Sequence, residues 1–155
     1  MNIILKKAQS SDLSRIHAIQ ISAFSGLLRK YRDYDTNPGA ENVDAIVHRF
    51  DLSVTTYYFI CLDGQEIGML RVCDHGSRCR ISPICILPEF QGQGVGRQAI
   101  LLAEKAHSDA SCWELDTILQ ENSLCAFYES IGYRDTGKRK HLQDGMDLIF
   151  YEKPM

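Results

Sequence analysis

Apolar residues change their spacing several times along the chain, and each change marks an element. Ile3-Ile4-Leu5 is a short run of strand type. Ser10 or Ser11 is placed to cap a helix, with Asp12 favourable in its first turn. Leu13, Ile16, Ala23 and Phe24 give that helix an apolar face, which Ile19 and Ile21 blur. The stretch Gly26 to Asp35 mixes charges with Tyr31 and Tyr34 and predicts a second short helix or a mobile loop. Asn37-Pro38-Gly39 breaks the chain, and Val43, Ile46, Val47 and Phe50 resume helical spacing.

A sheet follows. Tyr57 to Leu62 is aromatic and β-branched, and Asp63-Gly64 is a two-residue hairpin signal because both positions tolerate positive φ. Gln65 to Cys73 predicts the return strand, and Asp74 to Ser77 a second turn. Arg78 to Leu87 predicts a third strand. Pro83 inside it has no N–H for the ladder, so a bulge or an unpaired section is expected there. Val95, Ala99, Leu102, Ala103 and Ala106 then line a helix, and Trp113 to Leu119 a strand. Leu124, Phe127, Tyr128 and Ile131 line another helix, with Gly132 just past its end. Tyr133 to Lys138 and Met146 to Tyr151 close the pattern as a strand pair turning at Asp144-Gly145. This order is α+β, not a repeating βαβ series.

At 155 residues, the chain is expected to form one domain over 1–155. Hydrophobic residues at 45% and charged residues at 24% are ordinary for a globular protein. No apolar run has membrane-spanning length, and the N-terminus lacks the features of a signal peptide. A cytoplasmic protein with no membrane partner is the expectation. A net charge of −3 argues against a nucleic-acid partner, whose binding needs a basic face. The cysteines at 61, 73, 79, 85, 112 and 125 contain no C-x-x-C pair, so neither a metal site nor a disulfide framework is expected. Cys61, Cys85 and Cys125, in apolar runs, read as small buried hydrophobes.

Gln91-Gly92-Gln93-Gly94-Val95-Gly96 lies between a strand and a helix. Glycines let backbone N–H groups converge, and the helix start adds unpaired N–H groups and the positive end of its dipole. The result suits a phosphate or pyrophosphate, and Arg97 can add charge. No G-K-[ST] ends the run, which excludes a Walker A loop. The preceding hairpin meander disfavours a dinucleotide fold.

The stretch Ile84-Cys85-Ile86-Leu87-Pro88-Glu89-Phe90-Gln91-Gly92-Gln93-Gly94-Val95-Gly96 resembles the acyl-CoA signature of the GNAT superfamily of N-acetyltransferases, with Gln91, Gly94 and Gly96 at its Q/R-x-x-G-x-G/A positions. Phe127 to Tyr133 is similar to the family's Y-x-x-x-G-[FY] segment. The resemblance implies a mostly antiparallel sheet of six to seven strands with about four helices, splayed at the cofactor site. It implies acetyl-CoA as co-substrate, held by Ile84, Cys85, Ile86, the 91–97 loop and Asn122. It also implies direct attack of an amine on the thioester, with no metal. The amine belongs to a small molecule or a peptide, and a homodimer is compatible with the family.

By the same resemblance, Tyr128 is the candidate acid for the leaving thiolate. Asp116 is the candidate base, with Glu66, Asp74 and His75 as rivals; Glu89, just after Pro88, is expected to be exposed. Relatives often carry Asn seven residues before the tyrosine. Here that position is Glu121, and Asn122 comes one later. Tyr31 and Tyr34 are expected to wall the acceptor site. The reading from another class is a non-catalytic acyl-CoA-binding module for sensing or assembly. A ribosomal or tRNA-directed acetyltransferase is disfavoured by the acidic charge balance.

Overall fold

Every period-two stretch becomes a strand of one sheet, and every helical stretch packs on one of its faces. A computed structural model describes residues 1–155. In chain order the elements are β1 (Ile3–Lys7), α1 (Leu13–Tyr31), α2 (Val43–Phe50), β2 (Thr55–Leu62), β3 (Gln65–Asp74), β4 (Arg78–Ile86), α3 (Val95–Ala106), β5 (Cys112–Ile118), α4 (Asn122–Ser130), β6 (Arg134–Gln143) and β7 (Met146–Pro154). The strand order is β1-β2-β3-β4-β5-β7-β6. Only β4 and β5 run parallel. This is the expected α+β architecture, mostly antiparallel with seven strands and four helices. No helix is long and apolar enough to cross a membrane.

The turn Asp63-Gly64 has φ of 49° and 88°, the positive pair its sequence predicts. The start of α1 differs from expectation. Ser10 and Ser11 sit in a short 3-10 turn, and the Asp12 carboxylate closes it by accepting the Gln9 N–H at 2.8 Å. The first part of the stretch from Gly26 is neither loop nor separate helix, while Arg32 to Asp35 lie beyond the helix. It continues α1 to Tyr31, where Arg32 at φ 52° donates its N–H to the Leu28 carbonyl and ends the helix. Gly26 lacks a favourable propensity, but one such residue does not break nineteen residues anchored by buried Leu13, Ile16 and Gln20.

Two apolar cores lie on opposite faces. Tyr57, Phe59, Cys61, Met69 and Cys85 meet Leu13, Ile16 and Ile46 from α1 and α2. Leu70, Val72, Cys79, Ile81, Trp113, Leu115 and Tyr151 meet Val95, Ala99, Ile100, Ala103 and Tyr128 from α3 and α4. On α3, Ile100 is buried where Ala106 was expected, and Leu102 only flanks the core.

Ile81 and Cys85 fall in different cores, although an even spacing on a regular strand would give them one face. The cause is the irregularity expected at Pro83. Leu70 pairs with Ile84 but Val72 pairs with Ile81, so β4 carries one extra residue there. The Ser82 carbonyl, out of the ladder, accepts the Arg71 Nε–H at 2.5 Å instead.

Just beyond the bulge, Gly68 of β3 faces Ile86 of β4. A methyl at Gly68 would lie 2.5 Å from the Cys85 backbone oxygen and 2.9 Å from the Ile86 side chain. Glycine therefore sets the seating of this end of β4. Gly68→Ala is expected to lower unfolding stability by roughly 1–3 kcal/mol, the usual cost of overpacking. Urea denaturation checks this, and an unchanged midpoint would refute the tight approach.

Candidate active site

The β4–β5 ladder contains three pairs, Arg78–Cys112, Cys79–Trp113 and Arg80–Glu114. Past Arg80 the strands part, while β5 stays paired with β7 from Cys112 to Ile118. A cleft of about 810 Å³ opens in the fork. Ile81 to Ile86 line one side, and Leu115 to Ile118 with Phe127 and Tyr128 line another.

Backbone groups in β4 alternate between its two neighbours. Leu87 donates its N–H to the Ile67 carbonyl at 2.8 Å, which sets the phase. Cys85 therefore bonds β3, and the N–H and C=O of Ile84 and Ile86 point into the fork. The Ile86 carbonyl is taken by the Gln91 side chain, whose Nε2 donates at 2.9 Å. Gln91 thus fastens the glycine turn to the end of β4.

Gly92 and Gly94 have φ of 79° and 80°, with Gly94 as the N-cap of α3. A Cβ at either would meet nothing, so glycine is required by backbone conformation rather than by space. The first α3 bond runs from Gln98 N–H to Gly94 O, leaving the N–H groups of Val95, Gly96 and Arg97 without helical partners. Gly96 packs on Phe127, whose Cζ would lie 3.2 Å from an added Cβ. Arg97 lines the cleft while its Nη1 donates to the Ser130 carbonyl at 3.1 Å. Gln93 is exposed and does not line the cleft.

Tyr128 and Asp116 both line the cleft. Tyr128 is buried, and desolvation, then the nearby Asp116 carboxylate, holds its hydroxyl well above the ordinary tyrosine range. Asp116 is ion-paired with Arg80 Nη2 across the base of the fork. Cys85 also lines the cleft, and burial pushes its thiol up to about 12.

Asn122 is not brought to this site. It is the exposed first residue of α4, with no side-chain hydrogen bond and no place on the cleft wall. Glu121 is engaged elsewhere. Its Oε2 accepts from Lys30 Nζ and from Tyr31 Oη, each at 2.6 Å. Lys30, and after it Tyr31, holds the Glu121 carboxyl below the usual range. These bonds tie the end of α1 to the start of α4. Tyr31 and Tyr34 do not wall the cleft, and Tyr34 is 68% exposed. That end is lined instead by Phe24, Leu27, Asp33 and Asn37, with Leu142, Met146 and Leu148 from the β6–β7 hairpin. Sequence reasoning missed these residues. Leu142 reaches the cleft because β6 runs on to Gln143, past the Lys138 end that its patterning marks, while Met146 begins β7 as expected and its place on the cleft wall follows from tertiary packing. The rival bases Glu66, Asp74 and His75 lie outside it, and Glu89 is exposed as expected.

A GNAT acetyltransferase domain profile matches residues 54–135. The chain is similar in fold to the ribosomal-protein-S18-alanine N-acetyltransferase of Escherichia coli, at 16% identity and a TM-score of 0.77 over 99% of this chain and 94% of that one. It is similar to the PaiA N-acetyltransferase of Thermoplasma acidophilum in complex with coenzyme A, at 17% identity and a TM-score of 0.73 over 100% of each chain. A GNAT family acetyltransferase from Elizabethkingia anophelis with acetyl-CoA bound matches at 16% identity and a TM-score of 0.67 over 99% of each chain. No curated protein matches the chain significantly.

The raised Cys85 thiol has a chemical consequence. Only the thiolate reacts with alkylating agents, so at neutral pH Cys85 in the folded protein is expected to react with iodoacetamide roughly 10²-fold or more slowly than a free thiol. Peptide mapping by mass spectrometry checks this. Labelling at the free-thiol rate would contradict the buried, neutral state.

Proposed function

The chain belongs to the GNAT acetyltransferase domain family, and on that premise we propose that residues 1–155 act as one acetyl-CoA-dependent N-acetyltransferase domain for the primary amine of a small molecule or peptide. The observation that carries the reading is the fork, a sheet opened between β4 and β5 with a glycine turn and a helix start at its mouth. Backbone groups facing the fork suit an arm rich in amides. The N–H groups at the start of α3 suit a pyrophosphate.

In this reading acetyl-CoA is a substrate, and the chain's own residues bind and polarise it. Ile84 and the Ile86 N–H pair with the pantetheine arm and steady the thioester oxygen as charge builds on it. Gly92, Gly94, Val95, Gly96 and Arg97 hold the phosphates. Gln91 supports them by fixing the turn, with Gln93 at its outer edge. Cys85 contributes volume, not nucleophilicity, because its thiol stays neutral. The neutral amine attacks the carbonyl carbon directly. A C–N bond forms, the C–S bond breaks, and Tyr128 gives its proton to the departing sulfur. The raised Tyr128 hydroxyl keeps that proton at neutral pH until negative charge appears beside it. Asp116 is our candidate to receive the proton lost by the amine, with Arg80 fixing its carboxylate. Asn122 has no part in this scheme.

The acceptor end is largely apolar, and Asp33 is the one carboxylate besides Asp116 among the lining residues of the cleft. Asp33 is itself buried and bonded to Thr36. An amine carried on an apolar body matches this wall better than a polycation.

Two variants test the reading. Gly94→Val forces a β-branched residue into positive φ at the N-cap, and is expected to weaken acetyl-CoA binding at least tenfold in calorimetry while the protein stays folded. Unchanged affinity would refute the phosphate site. Tyr128→Phe should leave acetyl-CoA affinity near wild type and lower the single-turnover rate by roughly 10²–10⁴ with an acceptor that the wild type uses. A wild-type chemical rate would make Tyr128 a packing residue. Tight acetyl-CoA binding with no transfer to any amine in a broad panel would favour a binding module.

A further inference from the structure

At the end of the β3–β4 hairpin away from the cleft, three side chains remote in sequence converge. Asp74 ends β3, Cys79 lies near the start of β4, and His107 caps the C-terminus of α3. One carboxylate oxygen, Cys79 Sγ and a His107 ring nitrogen all lie within 4.8 Å of one another. His107 Nδ1 stands 2.8 Å from Asp74 Oδ2. Each outer atom is also held. His107 Nε2 is 2.9 Å from Tyr58 Oη, and the Gly76 N–H donates to Asp74 Oδ1 at 2.8 Å. Metal-binding histidines and carboxylates are characteristically braced in this way by second partners. Trp113 and Tyr58 meet the His107 ring edge-on and fix its plane.

We propose that Asp74, Cys79 and His107 form a binding site for one zinc-class divalent ion, with Tyr58 orienting His107 from behind. The donor set is the argument for the class. A thiolate, an imidazole and a carboxylate suit zinc or cobalt, whereas magnesium and calcium prefer oxygen alone. Metal–donor bonds of about 2.0–2.3 Å place tetrahedral donors about 3.3–3.8 Å apart, which movements of about 1 Å supply here. Access is one-sided. Cys79 is 1% exposed, while the Asp74 side chain is 39% exposed, so the ion arrives past Asp74 and a water completes its shell there.

The protons balance. Without the ion, His107 Nδ1–H donates to Asp74 and the Tyr58 hydroxyl donates to Nε2. With it, the Nδ1 lone pair turns to the metal, Nε2–H donates to Tyr58 Oη, and Cys79 releases its proton to solvent. Burial pushes the free Cys79 thiol up to about 11, so the uncharged thiol is the resting form of the metal-free site. The spacing 74, 79 and 107 matches no linear metal motif, which is why the sequence alone argued for none. Bound metal would join the C-terminus of α3 to the hairpin, at the opposite end of the helix from the glycine turn.

Cobalt(II) alone, added to the chelator-treated full chain, tests the proposal. The expected result is a 1:1 complex with a thiolate charge-transfer band near the ultraviolet edge, displaced by zinc. Cys79→Ser should abolish the band, while Cys73→Ser and Cys112→Ser keep it. Asp74→Asn and Tyr58→Phe should each weaken binding by roughly 10–100-fold. No band in the folded wild type, or a band that persists in Cys79→Ser, overturns the site. If Cys79→Ser fails to fold, Asp74→Asn and His107→Gln decide: unchanged cobalt affinity in both refutes the proposal, and loss in both supports it.

Discussion

The cleft depends on hydrogen bonds that β4 does not make with β5. Their ladder is three pairs long, whereas β5 and β7 remain paired over seven. The one sheet therefore forks past Arg80 and Glu114, with β1 to β4 on one arm and β5 to β7 on the other. Unsatisfied backbone groups in such a gap are costly when buried, and a ligand with amides of its own removes that cost. In the proposed reading, the opening that weakens the sheet also supplies the backbone groups with which an extended polar chain would pair. Arg80 and Asp116 form an ion pair at the vertex. That contact gives Asp116 a structural duty beside the chemical one proposed for it.

Most of the architecture was legible in the sequence because it rests on local signals. Asp63-Gly64 and Asp144-Gly145 encode hairpins, Pro83 encodes a broken ladder, and Gly94 encodes a positive φ before a helix. Each is a statement about one or two residues. The length of α1 was not legible, because the residues after Gly26 look polar until Lys30 and Tyr31 find Glu121, 91 and 90 positions away. The same contact explains why Tyr31 does not wall the cleft. Its hydroxyl is spent on joining α1 to α4.

The candidate site divides along the same line. Residues placed by motif, such as Gln91, Gly92, Gly94 and Tyr128, do line the cleft. Asn122, assigned by an offset that the sequence already missed by one residue, does not. The acceptor wall came from no motif at all, because Phe24, Asp33, Leu142 and Met146 are brought together by tertiary packing alone. The trio of Asp74, Cys79 and His107 was invisible for the same reason.

The extra residue in β4 has one more implication. It puts the two halves of the strand out of phase, so that odd-numbered positions serve one core before Ser82 and the other core after it. The strand works as a crossover between two independently packed layers. A change at Ile81 is felt on the α3 and α4 side without crowding the layer beneath Cys85. Loss of a single residue at Ser82–Pro83 would be a frameshift in space, exchanging the inside and outside of everything that follows on the strand.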